Sequence, residues 1–162
     1  LMKVAQLQDV FTIVHGNKFD LNKMDVSNEK GSVHFIGRSA ERNGFAASVR
    51  KISGVKPFPA GSITVALGGS ALASFVQSED FYTAQNIDVL SPKVEMDFET
   101  KLFYCMCIEA NRFRYSTFGR EANRTLHLIE VPDRESVPGW VAGAAHEGLI
   151  ELTSELTEVL GH

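Results

Sequence analysis

The stretch at residues 97–110, DFETKLFYCMCIEA, changes the period of the local pattern, and its reading decides the fold. Phe98, Leu102, Cys105 and Met106 recur at the three-to-four spacing of one helical face. Asp97 stands where an N-cap acceptor is needed, and Glu99 places negative charge in the first turn, where it suits the helix dipole. On either side the chain is strand-like. Upstream, β-branched and aromatic runs occur at 10–14 (VFTIV), 32–37 (SVHFIG), 44–51 (GFAASVRK), 62–67 (SITVAL), 74–77 (SFVQ) and 87–90 (IDVL). Turn formers separate them: His15-Gly16-Asn17, Asn43-Gly44, the PFPAG segment at 57–61, Gly68-Gly69, and the polar SEDFYTAQN at 78–86. Downstream, residues 125–131 (TLHLIEV) alternate like a further strand that stops at Pro132. Short strands around one central helix predict an α+β single domain.

Beyond Pro132 the character changes. DRESVPGWVAG reads as a linker with Trp140 as an aromatic anchor. Residues 147–160 (EGLIELTSELTEVL) read as a short amphipathic helix, with Leu149, Leu152, Leu156 and Leu160 on one face and acids opposite. That face can dock on its own domain or pair with a second subunit.

A chain of 162 residues is the size of one domain and can bury a core without disulfide staples. Its 44% hydrophobic and 22% charged content is that of a soluble globular protein. No apolar run approaches the roughly 20 residues of a membrane span, and no secretory leader opens the sequence. Cys105 and Cys107 stand two apart; on a helix they point about 200° from each other, which argues against a bridge or a shared metal. They read as buried, reduced thiols of a cytoplasmic protein.

Charge is distributed unevenly. The formal net charge is -4, from 16 basic and 20 acidic residues. Residues 30–56 nevertheless hold six basic residues against one acidic, and RFRYSTFGREANR at 112–124 holds four arginines against one glutamate. The segments between and after them are acidic. Two basic segments in an acidic chain suit one face that meets a polyanion. Arginine can take guanine bidentately, asparagine and glutamine can take adenine, and arginine and lysine hold phosphates. The candidates in the first segment are Arg38, Ser39, Arg42 and Asn43, then Arg50 and Lys51. In the second they are Arg112, Arg114, Tyr115, Arg120, Asn123 and Arg124. Gln85 joins them, while its neighbour Asn86 reads as a turn cap.

Familiar catalytic signatures are missing. There is no G-x-x-x-x-G-K-[ST] loop, G-x-G-x-x-G, H-E-x-x-H or G-x-S-x-G, and the five histidines are scattered singly. No cofactor or metal is expected. Gly68-Gly69 invites a phosphate-cradle reading, although a tight turn explains it as well. One arrangement offers an enzymatic alternative. Asp88 followed by Glu99-Thr100-Lys101 resembles the acidic-x-Lys signature of small metal-dependent nucleases, in which carboxylates hold Mg²⁺ and a lysine lies near the attacking water.

The order FTIVHGNKFDLNKM, SVHFIGRSAERNGFAASV, PFPAGSITVALGG, SFVQSEDFYTAQNIDVLSPK and NRFRYSTFGREANRTLHLIEVP resembles the target-recognition domains of type I-like restriction-modification specificity subunits. The resemblance spans about residues 10–140. It implies a mixed, strongly curved β-sheet with a central helix, and a non-catalytic module that reads one half of a bipartite sequence in double-stranded DNA. It implies partners too: a DNA methyltransferase (modification) subunit and a restriction subunit that supply the chemistry. On this reading residues 1–131 form the recognition domain, and residues 132–162 form a linker and short C-terminal helix. The chain departs from full-length members in having one recognition domain, which fits a half-length form that acts as a homodimer or a truncated member.

Overall fold

A computed structural model describes residues 2–112 and 124–142. The elements run β1 (Val4–Gln6), α1 (Leu7–Val10), β2 (Phe11–His15), β3 (Val33–Ile36), β4 (Phe45–Val49), β5 (Ile63–Ala66), β6 (Ser74–Val76), β7 (Phe81–Thr83), β8 (Ile87–Pro92), α2 (Phe98–Glu109) and β9 (Glu130–Pro132). This is the expected α+β fold with mixed strand directions. The described strands are divided over three ladders, ordered β2-β8-β5-β6, β4-β3-β7 and β1-β9. Only β3 and β7 among the laddered strands run parallel, with Ile36 opposite Thr83.

Helix α2 begins as its sequence demands. The Asp97 carboxylate accepts from the Thr100 amide at 2.8 Å, and hydrogen bonding from the Thr100 side chain and then from this amide holds the Asp97 carboxyl below the usual carboxylate range. The buried face differs from the expected one. Thr100, Tyr104, Cys105 and Ile108 are buried, while Phe98 is 52% and Met106 70% exposed. The helix is apolar on most sides, so periodicity alone did not select a face. Tyr104 fixes the orientation: its ring meets Phe11 edge-on and its hydroxyl donates to the Pro132 carbonyl at 2.8 Å. Both cysteines are free thiols, with burial raising Cys105 to about 12 and Cys107 to about 11.

The main core lies between α2, α1, the four-stranded ladder and β9, and includes Leu7, Phe11, Ile63, Leu90, Tyr104, Ile108, Leu126 and Val131. A smaller core of Val33, Phe35, Val49 and Tyr82 lies beneath β3 and β4. Tyr82 pins the following loop as well, donating to Val55 O and accepting from Ile52 N. Phe81 and Tyr82 are fully buried core residues.

Three further expectations change. β7 occupies part of the stretch read as polar connection. Of residues 125–131, Leu126–Leu128 form a 3-10 turn and the strand begins only at Glu130. Trp140, read as an anchor, is 67% exposed, whereas its neighbour Val141 is buried. Past Pro132 the chain stays on the domain, with the Lys3 amide donating to Ser136 Oγ. The amphipathic stretch at 147–160 lies outside the described residues.

Candidate nucleic-acid interface

Strand polarity brings several turns to one end of the molecule. β2 ends at His15, β3 at Ile36, β5 at Ala66 and β7 at Thr83, while β4, β6 and β8 begin there. Backbone hydrogen bonds tie these turns into one layer. Gly16 N donates to Ile87 O, Leu67 N to Asn86 O, Gly37 N to Gly44 O, and Ser70 N to Arg38 O. Helix α2 terminates at the same end: Glu109 Oε1 accepts from Ser74 N, and Arg112 Nε donates to Ala71 O at 3.2 Å.

Arg38, Ser39, Arg42 and Asn43 are exposed on the β3–β4 loop at this end. The loop is held in an unusual backbone state. Arg42, Asn43 and Gly44 have φ of 53°, 56° and 75°, three consecutive left-handed residues. Each non-glycine residue costs about 1–2 kcal/mol there, least for asparagine. Surrounding bonds hold the shape: Gly44 N donates to Glu41 O, and buried Gln77 donates from Nε2 to Asn43 O at 2.9 Å and to Thr64 Oγ1. Gly44 is required, since a Cβ would lie 3.0 Å from Ile36 Cγ2 and 3.1 Å from Gly37 O. Arg42 lies over the Phe45 ring, 5.2 Å from its centroid, which itself meets His34 edge-on. Strain of this kind, held by the scaffold, aims side chains.

The two basic segments meet at the turn from Leu67 to Leu72. Arg38 lies against its glycines, so that a Cβ on Gly69 would stand 3.1 Å from Arg38 Cβ and one on Gly68 3.4 Å from Arg38 Nη1. Arg112 reaches Ala71 from the other segment. Gly68-Gly69 therefore serves a turn and a close approach of Arg38. Gln85 and Asn86 form the β7–β8 turn in the same layer, Asn86 with φ 59° as the expected turn residue. Arg124 is exposed. Arg114, Tyr115, Arg120 and Asn123 lie outside the described residues.

Arg50 and Lys51 are elsewhere. They follow Val49, which pairs with Val33, so they sit at the opposite end of the hairpin from Arg42. Four strand residues at roughly 3.3 Å each separate the two ends by about 13 Å. Arg50 is taken up by acids: Nε is 3.1 Å from Asp25 Oδ2 and Nη2 3.1 Å from Glu29 Oε2.

The nuclease constellation is not assembled. Asp88 is buried on β8 opposite Val65, near the turn end, with Oδ1 2.7 Å from His15 Nδ1. Burial raises its pKa against the lowering effect of that hydrogen bond. Lys101 donates to the Gly61 carbonyl at 2.8 Å, before the far end of β5. Asp88 and Lys101 thus belong to opposite ends of one strand, and no three acidic, histidine or cysteine residues among the described ones could jointly hold a metal.

Comparison with known proteins decides the family. Residues 1–132 match the type I restriction modification DNA specificity domain. The chain belongs to that family. A specificity domain is the recognition part of such a system, not its enzyme. A curated relative is the specificity subunit S.BcgI of the type II restriction enzyme BgcI from Heyndrickxia coagulans, 28% identical over 142 residues, which are 83% of this chain and 39% of the relative. Among solved structures the fold is similar to the S subunit of a type I restriction-modification system from M. genitalium, with TM-score 0.60, 14% identity, and coverage of 98% of this chain and 42% of that one. It is similar also to the HsdS subunit from Thermoanaerobacter tengcongensis, with TM-score 0.65, 13% identity, and coverage of 97% and 39%. The specificity domain thus spans about two fifths of the length of these relatives. No described helix is long and apolar enough to cross a membrane.

Proposed function

We propose that this specificity domain reads one half-site of a bipartite sequence in double-stranded DNA through its turn end. Arg38, Ser39, Arg42, Asn43, Gln85 and Arg112 contribute, and the chain leaving Arg112 supplies Arg114, Tyr115, Arg120, Asn123 and Arg124. Arg50 and Lys51 are left to the opposite end. The observation that carries the reading is the convergence of Arg38 and Arg112, one from each basic segment, on the Leu67–Leu72 turn. A layer of hydrogen-bonded turns carrying guanidinium and amide groups has the donors and acceptors of major-groove edges and phosphates. The strained Arg42-Asn43-Gly44 corner aims two of those groups without depending on a flexible loop.

The methyltransferase and restriction chemistry comes from partner subunits of the complex, and the recognition unit is residues 1–131, with residues 132–162 beginning the connection to the rest of the assembly. A second copy or a second recognition domain reads the other half-site. The experiment is selection from a random duplex pool with the chain. A short preferred sequence is expected, its binding falling steeply with salt. Recovery of sequences no different from the starting pool contradicts the reading.

A further inference from the structure

We propose that the cleft between the turn after β2 and the turn before β8 is a phosphate subsite, in which His15 and Lys18 hold one backbone phosphate of the bound DNA and Asp88 positions the imidazole. This rests on the reading of the turn end as the DNA-facing surface and adds residues to it. The cleft has a volume of 280 Å³ and is lined by residues 15–18, Leu67, Asn86 and Ile87.

Its floor is built rather than loose. Gly16 passes so close to Thr83 and Ile87 that a Cβ would meet Thr83 Oγ1 and stand 2.8 Å from Ile87 O. Asn17 Oδ1 accepts from Thr83 N, and Thr83 Oγ1 donates to Asn17 O. The backbone between His15 and Lys18 is thereby fixed on β7 and β8.

His15 and Asp88 face each other across the β2–β8 ladder with opposite exposures, 80% for the His15 side chain and 6% for that of Asp88. A carboxylate only accepts, so Nδ1 carries the hydrogen of the 2.7 Å contact and Nε2 faces outward. A buried carboxylate is costly to desolvate, and orienting the imidazole gives it a use. Among the described residues the charged groups at this imidazole are Asp88, from β8, and Lys18, from its own loop; Leu67 after β5 and Asn86 and Ile87 at the β7–β8 turn bring none. With its second nitrogen also protonated an imidazole is, like an ammonium, a point-like donor, the chemistry of phosphate, whereas the forked and amide groups suited to base edges lie on the neighbouring β3–β4 loop.

The test is a titration of the full chain with two duplexes of equal length, one bearing the selected half-site and one of random sequence, at several salt concentrations, with melting curves for each variant. His15→Ala and Lys18→Ala are each expected to weaken both duplexes about tenfold, leaving their ratio unchanged and reducing the salt slope by about one. Asp88→Asn removes the charge that faces the imidazole and is expected to weaken both duplexes in the wild-type background but to add nothing in the His15→Ala background. If Asp88→Asn changes melting but lowers affinity by the same factor with and without His15→Ala, the positioning role is wrong. If His15→Ala and Lys18→Ala bind as wild type while Arg38→Ala with Arg42→Ala lowers the ratio between duplexes, the subsite is wrong and the turn-end reading stands. If the chain binds neither duplex, both are wrong.

Discussion

The β3–β4 hairpin carries arginines at both ends, in opposite circumstances. At the turn end no described carboxylate pairs with Arg38 or Arg42, whose loop is tied to the Gln77 side chain, just after β6, and to the Leu67–Leu72 turn through backbone carbonyls. At the other end Arg50 is bracketed by Asp25 and Glu29, its partners 70% and 73% exposed. An arginine already paired must give up its acids before it can take a phosphate. Local positive charge is therefore a poor guide to a binding face until the fold shows which cations are engaged.

The largest test of this contrast uses glycines. Gly44→Ala adds both a left-handed penalty and a collision with Ile36 and Gly37, costing about 2–3 kcal/mol and moving Arg42 and Asn43. Gly54→Ala, near Arg50, meets the same backbone penalty at φ 79° with nothing within 4 Å, costing about 1 kcal/mol. Denaturant melts compare the stabilities, and DNA affinity is expected to drop only for Gly44→Ala. Equal loss of affinity in both would erase the distinction between the ends.

A smaller effect is expected at the start of α2, which lies at the Arg50 end because Lys101 reaches Gly61 there. Asp97→Ala removes the cap and costs about 1 kcal/mol of stability near neutral pH, without changing DNA affinity. The Asp97 pKa is lowered on folding, so its contribution is present above the ordinary carboxylate pKa and is lost as pH falls through the folded value. The gap between wild type and variant therefore closes in acid, as melts over an acid pH series would show. A gap independent of pH would assign the loss to something other than the ionised cap.

Much of this was legible in the chain. The six upstream runs with β-branched residues and turn punctuation all became strands: the first shifted by one residue to Phe11–His15, the next four shortened at one or both ends, and the last lengthened to Pro92. Asp97 and the helix that follows announced themselves by cap and length. β7 did not, because its three residues lie between SED and AQN, and its burial comes from a parallel partner, β3, 47 residues earlier. The face of α2 was misread because Phe98 and Met106 are as apolar as Tyr104 and Ile108, and only the Tyr104 bond to Pro132 separates them. In the site, the excess of arginine marked both basic segments. The acids that occupy Arg50 come from the loop after β2, and His15 gained its meaning from Asp88, a residue 73 positions away. Such pairings are set by strand register, which composition does not carry.

The central claim is that the turn end, not the Arg50 end, meets DNA. Paired variants test it on one duplex and at several salt concentrations: Arg38→Ala with Arg42→Ala, and Arg50→Ala with Lys51→Ala. The account predicts a loss of at least about tenfold in affinity, a shallower salt slope and reduced sequence preference for the first pair. For the second it predicts affinity within about threefold of wild type, with stability changed by less than about 1 kcal/mol, as exposed ion pairs allow. Loss of binding in the Arg50 and Lys51 pair with the Arg38 and Arg42 pair unaffected would contradict it.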